Sequence, residues 1–398
     1  MSETQRFKES VMRSADSHVI EPGDLWQDRV PAKLRDRAPR IVDSVDSLRG
    51  AVDGEWLVCD GIDPQRVAGF AAADVDDPRQ RSAADKRGYG ELLSGGWDPV
   101  QRLKDQDVDG VGFEVLYPSM ALPMFGIPDF ELQSAVFAAY NDWIAEFASH
   151  DPARLLGVGL VCIDDIGWAV AELERIAHLG LGGAMIPVDP DRPNYSSGRF
   201  DRVWGAARAL ELPLSMHILT DRSGAKYNQR PFLMTWIRQV HPIQLSLTSM
   251  LVSGVFQRFP DLKIVSVEND IGWIPYYLQR LEDSFEQFRY HVGYDSPDTP
   301  IDYFHRNVWF TFQDDPVGVQ NIETIGVDRV MWGSDFPHGD STWPHSREAV
   351  ARNFDGMPQE YVEKATHDNV TALYGLVPSA PSNPNLRVSA GLFGLTEH

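Results

Sequence analysis

Short apolar runs alternate with longer amphipathic segments along most of the chain. Each run after the first is followed promptly by a segment with apolar residues at helical spacing, as in Glu131–Ser149. This alternation predicts a parallel sheet, and eight such units predict a closed (β/α)8 TIM barrel. A doubly wound open sheet is the rival, but the Gly-rich phosphate turn usual after its first strand is absent here. The eight predicted strands begin at Val11, Val111, Leu155, Gly182, Leu212, Leu262, Val308 and Arg329.

Residues 11–375 are predicted to form one barrel domain, interrupted after its first strand by a long insertion at 21–96. Two candidate strands in this insertion, Arg40–Ser44 and Glu55–Cys59, fit a hairpin, and the polar segment Ala72–Gly90 is interpreted as a loop or flap. Residues 376–398 are interpreted as a C-terminal tail that is ordered only by contact with a partner subunit. Helices are predicted at 98–107, 131–149, 165–179, 200–210, 231–259, 272–289, 316–325, 345–354 and 358–374.

The amino-acid composition indicates which kinds of partner the protein binds and in which compartment we expect it. The chain carries 36 Lys and Arg against 58 Asp and Glu, a net charge of −22, which argues against nucleic acid or an anionic membrane as a partner. Two cysteines, Cys59 and Cys162, imply no disulfide framework and fit a reducing cytoplasm. The first ten residues are polar, and no apolar run approaches the roughly 20 residues of a membrane helix. We therefore expect a cytoplasmic protein that acts on a small molecule.

Polar groups follow several of the predicted strands, at the end of a barrel where functional groups usually lie. Asp16 and His18 end the first strand, and their spacing of two places both side chains on one face. His217 ends the fifth strand, Glu268 begins the polar triplet after the sixth, and Asp335 follows the eighth. Two imidazoles and two carboxylates that meet at one point suit a divalent transition metal. Such a metal lowers the pKa of a bound water or polarises a substrate oxygen.

Each of these residues also has a purely structural interpretation. Asp335 fits a helix cap, Asp16 and His18 fit an ordinary turn, and His217 fits a hydrogen-bonded core histidine. Glu268 is harder to explain in this way, because an unpaired buried carboxylate is costly. Because metal-binding residue types follow four different predicted strands, we favour a metal site over these structural interpretations. Three other histidines are interpreted as helix or helix-boundary residues: His150, His178 and His241.

Three segments in this order resemble the amidohydrolase-2 group of the amidohydrolase superfamily, which includes aminocarboxymuconate semialdehyde decarboxylase. The resemblance extends from about Ser14 to Tyr374. Its most specific segments are Ala15-Asp-Ser-His-Val-Ile-Glu-Pro22, Phe259-Pro-Asp-Leu-Lys-Ile-Val-Ser-Val-Glu268 running into Ile271-Gly-Trp-Ile-Pro275, and Trp332-Gly-Ser-Asp-Phe-Pro-His338.

The resemblance implies a single metal at the mouth of the barrel, with His18, His217 and Asp335 as ligands. Asp16 stands where the family often has the first His of His-X-His or a Glu, and a harder carboxylate favours manganese or iron over zinc. After strand six the decarboxylases of the family carry a His in a Gly-rich turn, and this chain carries Glu268 instead. Glu268 is therefore interpreted as the general base or as a further ligand that supports a dinuclear Fe/Mn centre.

Three functions follow as hypotheses. The first is metal-dependent hydrolysis or decarboxylation of a small carboxylate-bearing substrate, in which Asp335 holds a proton and Glu268 or His338 shuttles it. The second is a non-haem dinuclear oxygenase. The third is a structural partner of an active homologue, which agrees with a homo-oligomer or a hetero-oligomer of homologous subunits. Candidate pocket residues are Trp97, Tyr117, Phe125, Arg222 and Arg230.

Overall fold

Eight parallel strands form the central sheet of the computed structural model, which describes residues 11–47, 50–68, 71–75, 77, 79–81, 86–222 and 232–376. Each of the eight predicted strands is present, so the prediction of a (β/α)8 barrel is confirmed. The insertion adds three antiparallel strands. In chain order the strands are β1 Met12–His18, β2 Arg40–Ser47, β3 Gly50–Val58, β4 Gln65–Arg66, β5 Val111–Tyr117, β6 Leu155–Leu160, β7 Gly183–Pro187, β8 Leu214–His217, β9 Ile264–Val267, β10 Val308–Phe312 and β11 Val330–Trp332. The barrel order is β1-β5-β6-β7-β8-β9-β10-β11.

The barrel closes between β1 and the segment that follows β11. The backbone N–H of His18 donates to the carbonyl of Phe336 at 2.7 Å, and the N–H of Asp335 donates to the carbonyl of Asp16 at 2.9 Å. Gly333 lies at this seam, where a Cβ atom would come within 2.4 Å of the Asp16 Cβ. A glycine is therefore required for the first and last strands to approach, and the same bonds bring the two strand ends together.

The helices lie outside the barrel and begin and end within a few residues of their predicted bounds. Pro300–Asn307 was not predicted, although Thr299 and Asp302 form a capping box at its start. The last predicted helix is interrupted by a π-helical turn at Lys364–Asp368. The α-helices are Leu25–Arg29, Pro99–Asp109, Phe130–Ala148, Ile166–His178, Asp201–Ala209, Phe232–Ile237, Val240–Val252, Val255–Arg258, Ile274–Phe288, Pro300–Asn307, Pro316–Gln320, Ile322–Ile325, Ser346–Asn353, Gln359–Glu363 and Asn369–Leu373.

The insertion carries the predicted hairpin, since β2 and β3 pair in antiparallel fashion and β4 joins β3. Its described part touches the segment after β11: Ala71 forms a bridge with His338, and the N–H of Ala73 donates to the carbonyl of Pro337 at 3.1 Å. The boundaries proposed for the domain and its insertion remain a prediction. Residues 1–10, Arg230 and the tail from residue 377 lie outside the described residues. No helix in the described ranges has the length and apolar character to cross a bilayer.

Candidate metal centre

Five side chains from four strand ends meet at the C-terminal mouth of the barrel. Asp16 and His18 come from β1, His217 ends β8, Glu268 follows β9, and Asp335 comes three residues after β11. The strand ends place all five side chains inside the mouth, and four of them are at most 1% exposed, while the Glu268 side chain is 10% exposed. The structure thus brings together every residue that the sequence nominated as a metal ligand.

The polar atoms of these side chains lie close to one another. The Nε2 atom of His18 lies 3.2 Å from Nε2 of His217 and 3.2 Å from Oδ1 of Asp335. It lies 3.5 Å from Oδ1 of Asp16 and 3.5 Å from Oε2 of Glu268. The His217 Nε2 atom is 3.2 Å from the same Glu268 oxygen. Such convergence over one point is the arrangement that a metal site requires.

Backbone carbonyls fix the tautomers of the two histidines. The Nδ1 atom of His18 lies 2.7 Å from the carbonyl oxygen of Pro118, and Nδ1 of His217 lies 3.0 Å from the carbonyl oxygen of Ile218. A carbonyl oxygen only accepts, so each Nδ1 carries the hydrogen and each neutral ring presents the lone pair of Nε2 to the centre. Two lone pairs 3.2 Å apart repel unless a cation or a proton lies between them.

Four carboxylate oxygens at the centre lack a hydrogen-bond donor in the described structure. They are Oδ1 of Asp16, Oε2 of Glu268 and both oxygens of Asp335. Buried acceptors without donors are expensive, and three carboxylates at one point also repel each other. Together with the two Nε2 atoms they form a cluster made of acceptors, and a divalent cation satisfies such a cluster. The nitrogen and oxygen donor set fits a transition metal.

Burial and the charges inside the centre shift the pKa values of its groups in different directions. Burial alone would lower the pKa of His18, but Asp16, Asp335 and Glu268 outweigh it and raise that pKa well above its ordinary value. Burial opposes ionisation of Glu268, yet His18 and His217 hold its pKa well below the usual range. Burial and the neighbouring Glu268 charge raise the pKa of Asp335 to about 7. In the metal-free protein, protons on His18 and Asp335 therefore offset part of the negative charge of the centre.

His338 extends the cluster beyond the first five residues. Its Nδ1 atom lies 3.0 Å from Oδ1 of Asp335, and its Nε2 atom lies 2.9 Å from the hydroxyl of Ser119. The rings of His338 and His18 have their centroids 3.9 Å apart. Ligand atoms of His18, Glu268, Asp335 and His338 form a second group that could hold an ion, beside the group of Asp16, His18, His217 and Glu268. The two groups share His18 and Glu268.

Two supporting residues were missed from the sequence. The Thr311 hydroxyl on β10 donates to Oδ2 of Asp16 at 3.0 Å and accepts the backbone N–H of Glu268 at 2.8 Å. Arg102 is fully buried, and its guanidinium donates to the carbonyl of His18 at 2.7 Å and to the Glu114 carboxylate at 2.6 Å. A threonine inside a strand and an arginine on an amphipathic helix give no local signal of these roles.

The backbone at two of the acidic residues is strained. Glu268 has φ of 54° and Asp335 has φ of 60°, in the left-handed region that side chains rarely adopt. Asp270, which follows Glu268 closely, has φ of 51°. Such strain persists where the surrounding structure imposes it, and it collects at functional sites. The turns after β9 and β11 therefore adopt a strained backbone conformation, and this conformation directs the two carboxylates into the centre.

A cleft of about 440 Å³ opens next to Glu268. Its walls combine two indoles with amides and carboxylates, and no Lys or Arg is present among its described lining residues. Burial together with the charges of Asp315 and Glu268 raises the pKa of Asp270 to about 7. Burial together with Asp335 and Glu268 does the same for Asp340. The polar and aromatic residues of the lining include Trp236, Trp273, Asn269, Gln313, Asp270 and Asp340.

The described pocket residues nominated from the sequence do not line this cleft, although the Tyr117 ring lies beside those of His18 and His217. Tyr117 is buried in the barrel interior, where its hydroxyl pairs with Ser215 at 2.9 Å. Phe125 packs in the core, and Trp97 packs beside Tyr89. Arg222 forms a two-pronged ion pair with Asp164, so its guanidinium is engaged away from the metal centre. Their role in a substrate pocket remains a prediction, and Trp236, Trp273 and Gln313, which line the cleft beside Glu268, were not nominated.

A (β/α)8 barrel with imidazoles and carboxylates converging at its C-terminal mouth is the architecture of a barrel metalloenzyme. The family model Amidohydrolase (Amidohydro_2) matches residues 91–376, and the chain belongs to this family. The resemblance inferred from the sequence motifs is thereby confirmed.

Curated relatives of the chain are decarboxylases. The chain is 26% identical over 259 residues to 2-amino-3-carboxymuconate-6-semialdehyde decarboxylase of Dictyostelium discoideum, covering 64% of this chain and 70% of the relative. It is 26% identical over 258 residues to gamma-resorcylate decarboxylase of Polaromonas sp. (strain JS666 / ATCC BAA-500), covering 60% and 77%. These relatives support the prediction of an enzyme from the carbon–carbon lyase class of the superfamily.

Solved structures share the fold. An amidohydrolase from Mycobacterium avium subsp. paratuberculosis K-10 superposes with a TM-score of 0.73 at 20% identity, covering 92% of this chain and 98% of that one. A dihydroxybenzoic acid decarboxylase from Polaromonas sp. JS666, with bound manganese and the inhibitor 2-nitroresorcinol, gives 0.63 at 19% identity, covering 92% and 97%. The barrel fold is thus shared across proteins of low identity, and the bound manganese belongs to that relative.

Proposed function

We propose that the chain is a metal-dependent decarboxylase that acts on a small carboxylated aromatic substrate. The observation that carries the proposal is the acceptor cluster at the barrel mouth, where two imidazole lone pairs face four carboxylate oxygens without hydrogen-bond donors. The decarboxylases among the relatives supply the reaction class. The nearby cleft, bordered by Trp236 and Trp273, supplies flat apolar walls beside the metal centre for an aromatic ring.

The metal ligands in this proposal are His18, His217, Asp16 and Glu268, and Asp335 lies beside them as the acid. Two carboxylates beside two imidazoles make a hard donor set that favours manganese or iron over zinc. A divalent ion held there would supply Lewis acidity to an oxygen of the substrate. The low pKa of Glu268 keeps this side chain ionised and suits it to ligation better than to proton transfer.

Decarboxylation requires one proton at a defined place. The bond from the ring carbon to the carboxyl carbon breaks, carbon dioxide leaves, and the electron pair that stays on the ring carbon must be protonated. In the metal-free protein, burial and the Glu268 charge raise the pKa of Asp335 to about 7, so this carboxyl can hold a proton near neutral pH. His338 lies 3.0 Å from it and is held on its other side by Ser119. We assign proton delivery to the Asp335–His338 pair.

Carbon dioxide release from the manganese-loaded protein tests the proposal. Purified protein is incubated with a panel of hydroxylated benzoates, and turnover and metal content are measured together. His217→Ala removes a ligand atom, and it is expected to lower manganese affinity and turnover by more than the roughly 10–100-fold that is typical for loss of a hydrogen-bond partner of a ligand. His241→Ala, at an exposed histidine in the helix Val240–Val252, is the matched control and is expected to behave like the unaltered protein. Full metal content and turnover in His217→Ala would refute the proposal.

A dinuclear oxygenase is the second candidate, and one observation favours it. The two possible ligand groups overlap in His18 and Glu268, so a second ion beside Asp335 and His338 would share ligands with the first. Elemental analysis separates the two candidates, because a decarboxylase is expected to hold about one manganese or zinc per chain. Two redox metals per chain with substrate-dependent oxygen uptake would support the oxygenase. Assembly into a homo-oligomer, or with a homologous subunit, remains a prediction.

A further inference from the structure

Glu21 is a fully buried carboxylate three residues after His18, and the proposed reaction does not use it directly. Its carboxylate accepts three consecutive backbone N–H groups: Oε2 accepts those of Ser119 at 3.3 Å and Met120 at 2.8 Å, and Oε1 accepts that of Ala121 at 3.0 Å. Burial raises the pKa of the Glu21 carboxyl to about 7, while the backbone N–H groups of Ser119, Met120 and Ala121 lower it. A carboxylate at this depth has a desolvation cost, which these three hydrogen bonds partly offset.

The segment held by Glu21 carries the groups that orient two histidines of the centre. The carbonyl of Pro118 accepts the Nδ1 hydrogen of His18 at 2.7 Å, and the Ser119 hydroxyl pairs with Nε2 of His338 at 2.9 Å. Both contacts are made at the ring nitrogen that faces away from the metal ligands. Partners of this kind fix the tautomer and orientation of a ligating ring, and their loss typically lowers metal affinity 10–100-fold.

We propose that Glu21 is a positioning residue for the metal centre. Its carboxylate clamps the N–H groups of residues 119–121 and thereby holds the Pro118 carbonyl and the Ser119 hydroxyl against His18 and His338. The inference rests on the proposed function, because it assigns those two rings to the metal centre. It also gives a physical reason for the Glu in the segment Ala15-Asp-Ser-His-Val-Ile-Glu-Pro22.

A neighbouring residue provides a matched control. Gln133 is also buried, and its side-chain amide donates to the carbonyls of Met124, Phe125 and Ile127. It therefore clamps the next turn of the same connection by three backbone bonds, but those bonds reach no residue of the metal centre. Gln133→Leu removes a comparable number of bonds at nearly constant volume, and it measures the purely structural effect of losing such a clamp.

The experiment compares manganese affinity with thermal stability in Glu21→Gln and Gln133→Leu. The amide of Glu21→Gln keeps the shape but presents an NH2 group to at least one backbone N–H, so the segment must shift. Glu21→Gln is expected to weaken manganese binding, measured by titration calorimetry, about 10–100-fold. Gln133→Leu is expected to lower Tm while it leaves manganese affinity within about twofold of the unaltered protein. Glu21→Asp, which retains the charge, is expected to recover part of the affinity.

Histidine ring nitrogens report the same effect without metal. In 15N-histidine spectra of the metal-free protein, Glu21→Gln is expected to change the tautomer signals of His18 and His338. Ser119→Ala leaves the buried Glu21 carboxylate in place and removes only the hydroxyl that contacts His338. It therefore tests the link from this segment to the ring if Glu21→Gln fails to fold. It is expected to change the tautomer signal of His338 and not that of His18. Unaltered protein that binds no divalent metal would overturn the proposed function. Normal manganese affinity and unchanged ring signals in Glu21→Gln and Ser119→Ala would overturn the positioning role and leave the proposed function standing.

Discussion

Asp335→Asn should stabilise the metal-free protein at alkaline pH and destabilise the metal-loaded protein relative to unaltered protein. Asp335 is fully buried, and burial with the Glu268 charge raises its pKa from 3.8 to about 7. An asparagine mimics the protonated acid at every pH. The variant therefore removes a cost that the unaltered protein carries when this carboxyl ionises, but it also removes a negative charge from the proposed metal centre.

The magnitude follows from linkage between proton binding and folding. Between pH 4 and pH 7 the unfolded chain has lost the proton of Asp335 while the folded chain retains it, so the free energy of unfolding falls as pH rises. The fall ends near pH 7, where the folded carboxyl also ionises. A shift of about three pKa units corresponds to about 4 kcal/mol at 1.36 kcal/mol per unit. We expect Asp335→Asn to show up to this gain at pH 8 and little difference near pH 4.

Urea unfolding of chelator-treated protein at pH 5 and pH 8 measures this gain. Asp261→Asn, at an exposed aspartate, is the control and should change the free energy of unfolding by less than about 0.5 kcal/mol. Manganese at 1,000 times its Kd would add roughly 4 kcal/mol to the unaltered protein, and less to the variant because its Kd is higher. Equal metal-free stabilities of Asp335→Asn and unaltered protein at pH 8 would refute the reasoning.

Three further substitutions test the structure around the centre. Arg102→Met should destabilise the protein by about 3–5 kcal/mol in urea, because Glu114 is left buried without its cation. Gly333→Ala should weaken manganese binding, measured by titration calorimetry, because the new methyl group would overlap Asp16 and open the barrel seam. Thr311→Val should weaken the same binding about 10–100-fold, since it removes the hydroxyl that orients Asp16 and the backbone of the residue after β9.

Matched variants make these outcomes specific. Adding Glu114→Leu to Arg102→Met should recover most of the lost stability, because no charge is then left buried. An uncorrected loss in the double variant would contradict the ion-pair explanation. Gly90→Ala, where a Cβ atom would meet nothing within 4 Å, should leave manganese affinity unchanged. Thr311→Ser keeps the hydroxyl and should bind manganese nearly as well as the unaltered protein, and a loss equal to that of Thr311→Val would contradict its assigned role.

The strand ends could be predicted from the sequence because their signal is local. A short apolar run that ends in Asp, Glu or His predicts a strand and also identifies the polar side chain at its C-terminal end. In a parallel barrel these C-terminal ends all lie at the same mouth. That reasoning found Asp16, His18, His217, Glu268 and Asp335. It could not give the distances between them, because those depend on the closure of the barrel at the seam between β1 and β11.

The supporting residues could not be predicted, because their roles arise from contacts between distant segments. Arg102 lies on a helix with Asp and Lys neighbours and has the sequence appearance of a surface charge, yet it is fully buried against the His18 carbonyl. Glu21 stands in a recognisable motif, but its partners are N–H groups about 100 residues later. The ion pair of Arg222 with Asp164, which lies 58 residues earlier in the chain, likewise gives no local signal in the sequence.

The charge of the centre connects the protonation of Asp335 with the number of metal ions. Asp16, Glu268 and Asp335 carry three negative charges when ionised, so one divalent ion leaves a net charge of −1 and two ions give +1. A carboxylated substrate would be repelled in the first case, and Asp270 beside the cleft adds to that repulsion when it is ionised. A proton on Asp335 brings a one-metal centre to neutrality and places that proton where decarboxylation consumes it. A second ion near His338 would instead displace the proton and leave Asp335 as a ligand. A protonated Asp335 is therefore expected in a one-metal decarboxylase, and an ionised Asp335 is expected in a dinuclear oxygenase.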